Sequence, residues 1–252
     1  MSEATHAVVT GGGSGIGLAV AAALAGAGHR VTIMGRDAAR LEAARDAAGG
    51  AEAVACDVAD PAAVDEAFAR AAEQGGPVGV LVNCAGIVRT APFARTDDAI
   101  WDEAWRINVL GAVHTTRAAL PGMRELPRAR VVNVASTAAL KGYAYVSAYV
   151  ASKHALLGLT RSLALELAGT AITVNAVCPG YTDTDIVRSS VETLMTKTGR
   201  SREDAEAVFT SANPQARLIA PEEVAATVLW LVSDAARSVT GQAIAVAGGE
   251  VM

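Results

Sequence analysis

A glycine-rich turn near the N-terminus is the feature that most restricts how this chain can fold. The apolar run Ala7–Thr10 leads directly into Gly-Gly-Gly-Ser-Gly-Ile-Gly at residues 11–17, and an alanine- and leucine-rich stretch follows. A second β-branched run, Arg30–Met34, comes within about 30 residues of the turn. This order predicts a strand, a tight turn, a helix and a parallel strand. Because glycines let the backbone approach a ligand and a helix N-terminus attracts anions, the turn predicts a pyrophosphate site.

Short Val/Ile/Ala-rich runs alternate with longer amphipathic stretches along the whole chain. The predicted strands are Ala7–Thr10, Arg30–Met34, Ala51–Ala55, Val78–Asn83, Arg130–Ala135, Ala171–Val177 and Gln242–Val246. The predicted helices are Ile16–Gly26, Asp37–Ala48, Pro61–Gln74, Asp97–Gly122, Ser147–Ala168 and Pro221–Ser233. Strands that alternate with helices imply right-handed crossovers and a buried parallel sheet. The pattern therefore predicts a single α/β domain over residues 1–252, built on a doubly wound parallel sheet.

Composition argues against several classes of protein. With 52% hydrophobic residues and a mean hydropathy of +0.31, the chain has ample material for a core. No apolar run approaches the ~18–20 residues of a membrane span, and the first strand starts too early to leave room for a signal peptide. The net charge of −5 includes no basic block, which argues against nucleic acid as a partner. We therefore expect a soluble, cytoplasmic protein that binds neither nucleic acid nor membrane.

The cysteines and histidines form no recognisable metal site in the sequence. Cys56, Cys84 and Cys178 are odd in number and widely spaced, and the four histidines are scattered. The spacing matches neither a zinc site nor a disulfide framework. The sequence predicts three reduced, buried thiols and no bound metal.

A tyrosine and a lysine share one face of a predicted helix. Tyr149 and Lys153 lie four residues apart, so their phenol and ammonium groups come one helical turn apart. A free tyrosine titrates near ~10 and is a poor acid or base at neutral pH until a nearby cation stabilises its phenolate. Ser136 follows a predicted strand, at the sheet edge where ligands bind in open α/β folds. These residues predict a proton-transfer site; the alternative is a surface pair beside the core.

Several motifs, in one order, resemble those of the short-chain dehydrogenase/reductases, and the resemblance covers essentially the whole chain. The motifs are Thr10-Gly11-Gly12-Gly13-Ser14-Gly15-Ile16-Gly17, Asp57-Val58, Asn83-Cys84-Ala85-Gly86, Asn108, Ser136, Tyr149-x-x-x-Lys153 and Pro179-Gly180. The separation between Ser136 and Tyr149 is also typical of that family. The resemblance implies a Rossmann-type fold and an NAD(P)-dependent oxidoreductase that interconverts a ketone and a secondary alcohol.

The resemblance also implies four catalytic residues. Tyr149 would donate the proton in reduction and accept it in oxidation, while Ser136 would orient the substrate carbonyl oxygen. Lys153 would bind the nicotinamide ribose and lower the pKa of Tyr149, and Asn108 would hold a water that links Lys153 to solvent. Hydride transfer builds negative charge on the carbonyl oxygen, so a donor must meet that oxygen as the charge grows.

Three other residues compete for the acid–base role. Tyr143 and Tyr145 precede Tyr149, but neither has a lysine four residues later, so we expect them to line the pocket. His154 follows Lys153 but faces another side of the helix, where we expect it to pack.

A larger set of residues is implied to bind the cofactor. The set consists of Gly11, Ser14, Gly15, Ile16, Gly17, Arg36, Asp57, Val58, Asn83, Gly86, Tyr149, Lys153, Pro179, Gly180, Thr182 and Thr184. Within it, Asp57 would meet the adenine amino group. Asn83 and Gly86 would border the adenosine ribose, and Pro179-Gly180 would hold the nicotinamide. The alternatives are a capping role for Asp57 and a plain turn at 179–180.

The end of the second strand bears on the choice between NAD and NADP. An acidic residue there hydrogen-bonds the ribose of NAD and repels a 2′-phosphate, but this chain has the uncharged Gly35. The next residue, Arg36, can offer a guanidinium to a phosphate, and we interpret Asp37 as the N-cap of the following helix. Ser14 weakens this interpretation, because NADP-dependent relatives often carry a basic residue there. The balance favours NADP, with a solvated Arg36 and NAD as the alternative.

Residues 186–215 depart from the regular alternation of strands and helices. The stretch is poor in apolar residues and follows a predicted strand, and the resemblance implies a mobile flap over the substrate. Its basic residues could meet the phosphates of a CoA or carrier-protein arm, but acidic residues balance them, which favours a solvated helix.

The expected substrate is a ketone carried on CoA or a carrier protein. Segments 175–180, 213–217 and 241–246 are similar to those of 3-oxoacyl-thioester reductases and aromatic-polyketide ketoreductases. The alternative is an NAD-dependent dehydrogenase that oxidises a secondary alcohol or a 3-hydroxyacyl-CoA. A nucleotide-sensing module without turnover also fits the fold, although a sensor has no need of a proton relay. The same objection disfavours a methyltransferase.

The resemblance finally implies a homotetramer. Family members mostly pair through two long helices, which here correspond to Asp97–Gly122 and Ser147–Ala168. Apolar residues surround much of the second helix, which fits burial on more than one side. They are Ala155, Leu156, Leu157, Leu159, Leu163, Leu165 and Leu167.

Overall fold

Seven strands form one parallel sheet in the computed structural model, which describes residues 5–252. The strands are β1 His6–Thr10, β2 Arg30–Gly35, β3 Glu52–Ala55, β4 Val78–Asn83, β5 Ala129–Val134, β6 Ile172–Pro179 and β7 Ala243–Val246. Their order across the sheet is β3-β2-β1-β4-β5-β6-β7, so the chain winds outward in both directions from β1 and β4. This arrangement confirms the predicted doubly wound fold, with every predicted strand present.

Helices connect the strands and cover both faces of the sheet. They are α1 Gly15–Gly26, α2 Ala38–Ala44, α3 Pro61–Gly75, α4 Asp98–Trp105, α5 Gly111–Arg124, α6 Ser147–Glu166, α7 Asp185–Thr198, α8 Arg202–Thr210 and α9 Pro221–Val232. Among residues 5–252, no helix is both long and apolar enough to cross a membrane.

Two helix predictions need correction. The helix predicted over 97–122 is divided, because Arg106–Leu110 form a π turn that joins α4 to α5. The helix predicted over 37–48 ends at Ala44, since the chain then tightens into turns that finish with Gly49 and Gly50 at positive φ. The predicted cap is confirmed, because Asp37 accepts a hydrogen bond from the backbone N–H of Arg40 at 3.0 Å.

The core lies on both sides of the sheet. On one face, α1 and α9 pack together over the strands through buried residues such as Leu24 and Leu231. On the other face, α3 and α5 contribute Phe68 and Met123. Strands β4, β5 and β6 are buried along their whole length, as expected for a parallel sheet covered on both sides.

The segment after β6 folds into a small unit of its own. Helices α7 and α8 enclose a local apolar cluster around Val187, Val191 and Ala205. The segment is poor in apolar residues, as the sequence indicates, but those few residues share one side. Arg188 pairs with the neighbouring Asp183 at 2.9 Å, which fits a solvated outer surface.

The carboxyl ends of β1, β4, β5 and β6 meet at one edge of the sheet. The residues that follow these strands are Gly11, Cys84, Ala135 and Gly180. In an open α/β sheet this edge forms the ligand crevice. The fold therefore brings together the motifs that the sequence separates.

Candidate active site

The turn between β1 and α1 is built so that only glycine fits at its crowded positions. Gly11 has φ +67°, and a methyl group on it would lie 3.0 Å from the Ala85 backbone. A methyl group on Gly17 would lie 2.2 Å from the carbonyl oxygen of Gly11, so α1 sits directly on the turn. Ser14 caps α1 without a side-chain hydrogen bond. The N-terminal N–H groups of α1 therefore remain available to an anion.

Gly15 and Thr184 face each other across the cleft. A methyl group on Gly15, which has φ +52°, would lie 3.1 Å from Thr184 Cγ2. Thr184 donates to the Thr182 carbonyl at 3.3 Å, and Thr182 donates to the Gly180 carbonyl at 3.0 Å. The loop after β6 is thus held against the glycine turn. The structure brings the predicted pyrophosphate and nicotinamide residues to one cleft.

Ser136 and Tyr149 meet at the end of β5. Ser136 has an extended backbone, and its Oγ accepts a hydrogen bond from the Ala138 N–H at 3.1 Å. Tyr149 lies in the first turn of α6 and interacts through its hydroxyl with the Ser136 side chain. Burial raises the pKa of Tyr149, and the hydrogen-bonding interaction with Ser136 opposes that shift. The two hydroxyl groups form a site that can donate a proton and orient a carbonyl oxygen.

Lys153 lies beneath Tyr149, one turn along α6. Its side chain is buried, its Nζ donates to the Val134 carbonyl at 2.9 Å, and the same Nζ lies 5.6 Å from the centre of the Tyr149 ring. Burial lowers the pKa of Lys153 to about 8. Burial of the phenol is the largest cause of the raised pKa of Tyr149, and a lowering of that pKa by Lys153 stays a prediction.

Asn108 sits in the π turn with its side chain buried. Its Nδ2 donates to the Ile87 carbonyl and to Ser152 Oγ, both at 3.0 Å, and its Oδ1 accepts from the Ile87 N–H at 2.8 Å. A methyl group on Gly86 would lie 3.2 Å from this Oδ1 and 3.5 Å from Lys153 Nζ. Asn108 also borders a cavity of about 10 Å³, roughly the space of one water. Its role in a water-linked proton path stays a prediction.

Asn83 at the end of β4 points its side chain into the protein. Its Nδ2 donates to Asn133 Oδ1 at 2.9 Å and to Thr116 Oγ1 at 3.2 Å, and its Oδ1 accepts from Thr115 Oγ1 at 2.7 Å. This network ties β4 to β5 and α5. The sequence predicts that Asn83 borders the adenosine ribose, and with its side chain committed only its backbone remains for that contact.

Asp57 and Val58 follow β3, where the sequence predicts that Asp57 meets the adenine amino group. Asp57 Oδ1 accepts a hydrogen bond from the Ala59 N–H at 3.0 Å, while its Oδ2 has no hydrogen-bond partner within residues 5–252. Val58 is buried, and its carbonyl accepts from His114 Nδ1 at 2.9 Å. Asp57 therefore shapes its own turn and still keeps one oxygen for a ligand.

Two arginines lie near the glycine turn, and the sequence prediction includes only one of them. Arg36 is exposed and helps Arg89 to lower the pKa of Glu103. Arg40 lies one turn into α2, and a methyl group on Gly13 would lie 3.4 Å from its Cγ. The signal for Arg40 was present in the sequence, as a second arginine just inside the helix that Asp37 caps.

The competing acid–base candidates are not placed for that role. Tyr145 is 63% exposed and His154 is exposed, with its Nδ1 bonded to the Val150 carbonyl of its own helix. The packing role predicted for His154 is therefore wrong. Tyr143 donates its hydroxyl to Glu250 at 2.5 Å, and burial raises its pKa.

The cysteines remain free thiols in this site and elsewhere. Cys56 and Cys178 are buried, whereas Cys84 is half-buried. Burial raises the pKa of Cys84 to about 11, although nearby Lys153 opposes this. These thiols are protonated at neutral pH and are poor nucleophiles.

Comparison with known proteins gives consistent matches over the whole chain. Residues 5–195 match the family model described as short chain dehydrogenase. The chain is 38% identical to D-beta-hydroxybutyrate dehydrogenase of Cupriavidus necator, with 100% of this chain and 99% of the relative covered. It is 37% identical to acetoacetyl-CoA reductase of Rhizobium meliloti, with 97% of each covered. A solved actinorhodin polyketide ketoreductase variant with NADPH is 37% identical, with a TM-score of 0.93 and coverage of 98% and 97%.

Proposed function

Because this chain belongs to the short-chain dehydrogenase/reductase family, we propose that it reduces a 3-oxoacyl thioester with NADPH. The chain is an NAD(P)-dependent oxidoreductase that interconverts a ketone and a secondary alcohol. The choice of substrate, cofactor and direction is the proposal. The convergence of the Ser136 and Tyr149 hydroxyls above buried Lys153 is the observation that carries it.

Tyr149 is the proposed general acid. Its raised pKa keeps the phenol protonated at neutral pH, which suits donation to a carbonyl oxygen as negative charge develops there. Ser136 holds the same oxygen by a hydrogen bond and stabilises that charge. Lys153 lies one turn below, where its ammonium supports the phenolate that remains after proton transfer. The reverse reaction needs Tyr149 as a base and is favoured by alkaline pH.

The cleft fits a dinucleotide. The glycine turn leaves the cleft open, because a side chain at Gly11, Gly15 or Gly17 would fill the cleft or force the backbone apart. Helix α1 presents its N-terminus to a pyrophosphate. Thr182 and Thr184 line the opposite side, and Lys153 would hold the nicotinamide ribose. The bound cofactor would supply the hydride for reduction or accept it in oxidation.

NADPH is the proposed cofactor because two arginines follow the end of β2, near the place where the adenosine ribose would bind. Arg36 follows β2, and Arg40 lays its alkyl chain along the glycine turn. A 2′-phosphate would pair with these guanidinium groups, and Gly35 contributes no opposing charge. The NADPH in the similar ketoreductase structure agrees with this choice.

The cofactor proposal is tested by removing these arginines one at a time. Arg36→Ala should raise the KM for NADPH about tenfold and leave that for NADH nearly unchanged, since one charged phosphate contact contributes roughly 1.5 kcal/mol. Arg45→Ala is the matched control, because Arg45 ends α2 and pairs instead with Glu42 at 3.1 Å. Equal effects on both cofactors, or an equal effect of the control, would contradict the proposal.

The substrate proposal rests on the relatives and on the direction that the site favours. Acetoacetyl-CoA reductase supports a thioester, whereas D-beta-hydroxybutyrate dehydrogenase supports a second candidate, oxidation of a free 3-hydroxy acid with NAD. Loss of absorbance at 340 nm with acetoacetyl-CoA separates the two candidates. Rapid loss with NADPH alone supports the thioester reductase. Turnover restricted to 3-hydroxybutyrate with NAD supports the second candidate.

We extend the proposal to assembly as a homotetramer. Large apolar side chains lie exposed on three helices: Trp105 on α4, Leu165 on α6 and Trp230 on α9. Leu165 is 81% exposed in the single chain, and contact with a second copy would remove this apolar surface from water. Light scattering should give four times the 25.5 kDa chain mass, and Leu165→Glu should reduce it. A monomeric wild-type protein would contradict this extension.

The α7–α8 segment is the proposed flap over the substrate. It is joined to the site through Tyr181, whose ring makes an edge contact with Phe209 of α8 at 5.2 Å between ring centres. We expect the backbone amides of α7 and α8 to exchange hydrogen faster than those of α6. Binding of NADPH and substrate should slow that exchange.

A cytoplasmic location is also proposed, on the basis of three free thiols, which reducing compartments maintain.

A further inference from the structure

Glu250 is a buried carboxylate beside the reaction site that the proposed chemistry does not use. Its side chain is only 1% exposed. Oε1 accepts the hydroxyl of Tyr143 at 2.5 Å and pairs with Lys141 Nζ at 3.1 Å. Oε2 has no hydrogen-bond partner within residues 5–252, and a methyl group on Gly180 would lie 3.0 Å from it. One oxygen of this carboxylate is committed to Tyr143 and Lys141, and the other lies beside the loop that follows β6.

The backbone is shaped to carry Glu250 into this position. Gly248 and Gly249 precede it with φ of +60° and +94°, which other residues rarely adopt. A methyl group on Gly248 would lie 2.0 Å from Asn213 Oδ1, and one on Gly249 would lie 3.4 Å from Pro214. The C-terminal turn is therefore packed tightly against the end of the flap segment.

A directed hydrogen-bond chain links Glu250 to the catalytic serine's neighbour. The only proton of the Tyr143 hydroxyl goes to Glu250, so the Thr137 hydroxyl must donate to the Tyr143 oxygen, 2.6 Å away. Thr137 directly follows Ser136, and the Tyr143 ring contacts Tyr181 edge-on at 6.3 Å between ring centres. The residues beside the reaction site, Thr137 and Tyr143, are thus linked to the Glu250 carboxylate. The nearby cation, Lys141, is already paired with Glu250.

We propose that Glu250 excludes free 3-oxo acids and so reserves the site for neutral 3-oxoacyl thioesters. This inference rests on the proposed function and names its selectivity. A free 3-oxo acid carries a carboxylate at the position where a thioester carries an uncharged carbonyl group. Like charges brought together in a desolvated site are strongly unfavourable. Lys141 offsets this repulsion only in part, because its side chain is 37% exposed and screened by solvent whereas that of Glu250 is 1% exposed.

Glu250→Gln is the direct test, because it keeps the size of the side chain and an acceptor for Tyr143 but removes the charge. It also releases Lys141 from its ion pair. With NADPH, kcat/KM for acetoacetate should rise about tenfold or more, whereas kcat/KM for the N-acetylcysteamine thioester of acetoacetate should change less than about threefold. Glu166→Gln is the matched control, because it removes one negative charge from the exposed far end of α6.

Two further variants assign the gain to charge. In Glu250→Gln with Lys141→Met, the gain on acetoacetate over Lys141→Met alone should persist, because the repelling carboxylate is removed in both backgrounds. Tyr143→Phe keeps the carboxylate and should leave acetoacetate excluded. Lys141→Met alone should lower the ratio of acetoacetate to thioester kcat/KM. This last prediction remains testable even when Glu250→Gln does not fold.

The outcomes separate this inference from the proposed function. A wild-type enzyme that reduces neither thioester nor acetoacetate overturns the proposed function. A wild-type enzyme that reduces the thioester, combined with a Glu250→Gln variant that gains nothing on acetoacetate, overturns the role of Glu250 alone. Equal use of acetoacetate and thioester by the wild type also overturns it.

Discussion

Replacement of Gly17 by alanine should push helix α1 off the glycine turn. The added methyl group would lie 2.2 Å from the Gly11 carbonyl oxygen, whereas real contacts of this kind are essentially never below 3.0 Å, so α1 must move by about 0.8 Å or more. Val20 and Leu24 on the same helix are fully buried in a close-packed core and resist that movement. Overpacking of this kind costs about 1–3 kcal/mol, and we expect the upper end because a backbone atom cannot rotate away.

Thermal unfolding and cofactor titration measure the two consequences. The melting temperature should fall by about 6–12 °C, since each kcal/mol shifts a chain of this size by about 2–4 °C. The Kd for NADPH, followed by its fluorescence, should rise about 10- to 100-fold, because the helix end that faces the pyrophosphate is displaced.

Gly26→Ala is the matched control in the same helix. No atom lies within 4 Å of a methyl group there, and the backbone has an ordinary φ. This variant should be as stable as the wild type or up to ~1 kcal/mol more stable. Wild-type stability and affinity in Gly17→Ala, or equal losses in both variants, would refute the reasoning.

Two further predictions concern pH. Burial lowers the pKa of Lys153 from 10.5 to about 8, so the folded state loses this proton first and its stability rises between pH 8 and 10.5. Urea titrations should show the wild type gaining about 3 kcal/mol over Lys153→Met in that window, and parallel curves would contradict this. Hydrogen bonds from Arg217 and from the Ala220 N–H lower the pKa of Glu223 to about 2, so its contribution is present above pH 4.5 and is lost as the pH falls towards 2. Glu223→Gln should therefore lose less melting temperature between pH 5 and 2 than the wild type, and an equal loss would refute this.

The strands were predictable because buried parallel strands are continuous apolar runs. All seven appear where the β-branched runs indicate them. The π turn at Arg106–Leu110 was not predictable, because helical periodicity has no signal for one extra residue. A tertiary contact accompanies this turn: Asn108 bonds the backbone of Ile87, which lies 21 residues earlier in the chain.

The candidate site was predictable where its signal is local. The glycine turn and the spacing of Tyr149 and Lys153 are short patterns with a direct physical meaning. The direction of the Tyr149 pKa shift is not a local signal, because its largest cause is the burial of the phenol, which depends on the whole fold. The direction of the Asn83 side chain likewise depends on partners from β5 and α5.

Glu250 shows the limit of reading motifs one at a time. It lies 107 residues from Tyr143 in the chain, yet the two side chains share a hydrogen bond. Two glycines in sequence mark a turn, but only the fold shows that this turn directs a carboxylate towards the active site. Sequence motifs therefore predict the chemistry well and the selectivity poorly.

The central claim is that Tyr149 transfers the proton. The most direct test measures NADPH-dependent reduction of acetoacetyl-CoA by Tyr149→Phe and NADPH binding on the same preparation, with Tyr145→Phe as the control. Tyr149→Phe should lower kcat about 10²- to 10⁴-fold while the Kd for NADPH stays within about threefold of the wild type. Tyr145→Phe should retain full turnover. Undiminished turnover in Tyr149→Phe with normal NADPH binding would contradict the account.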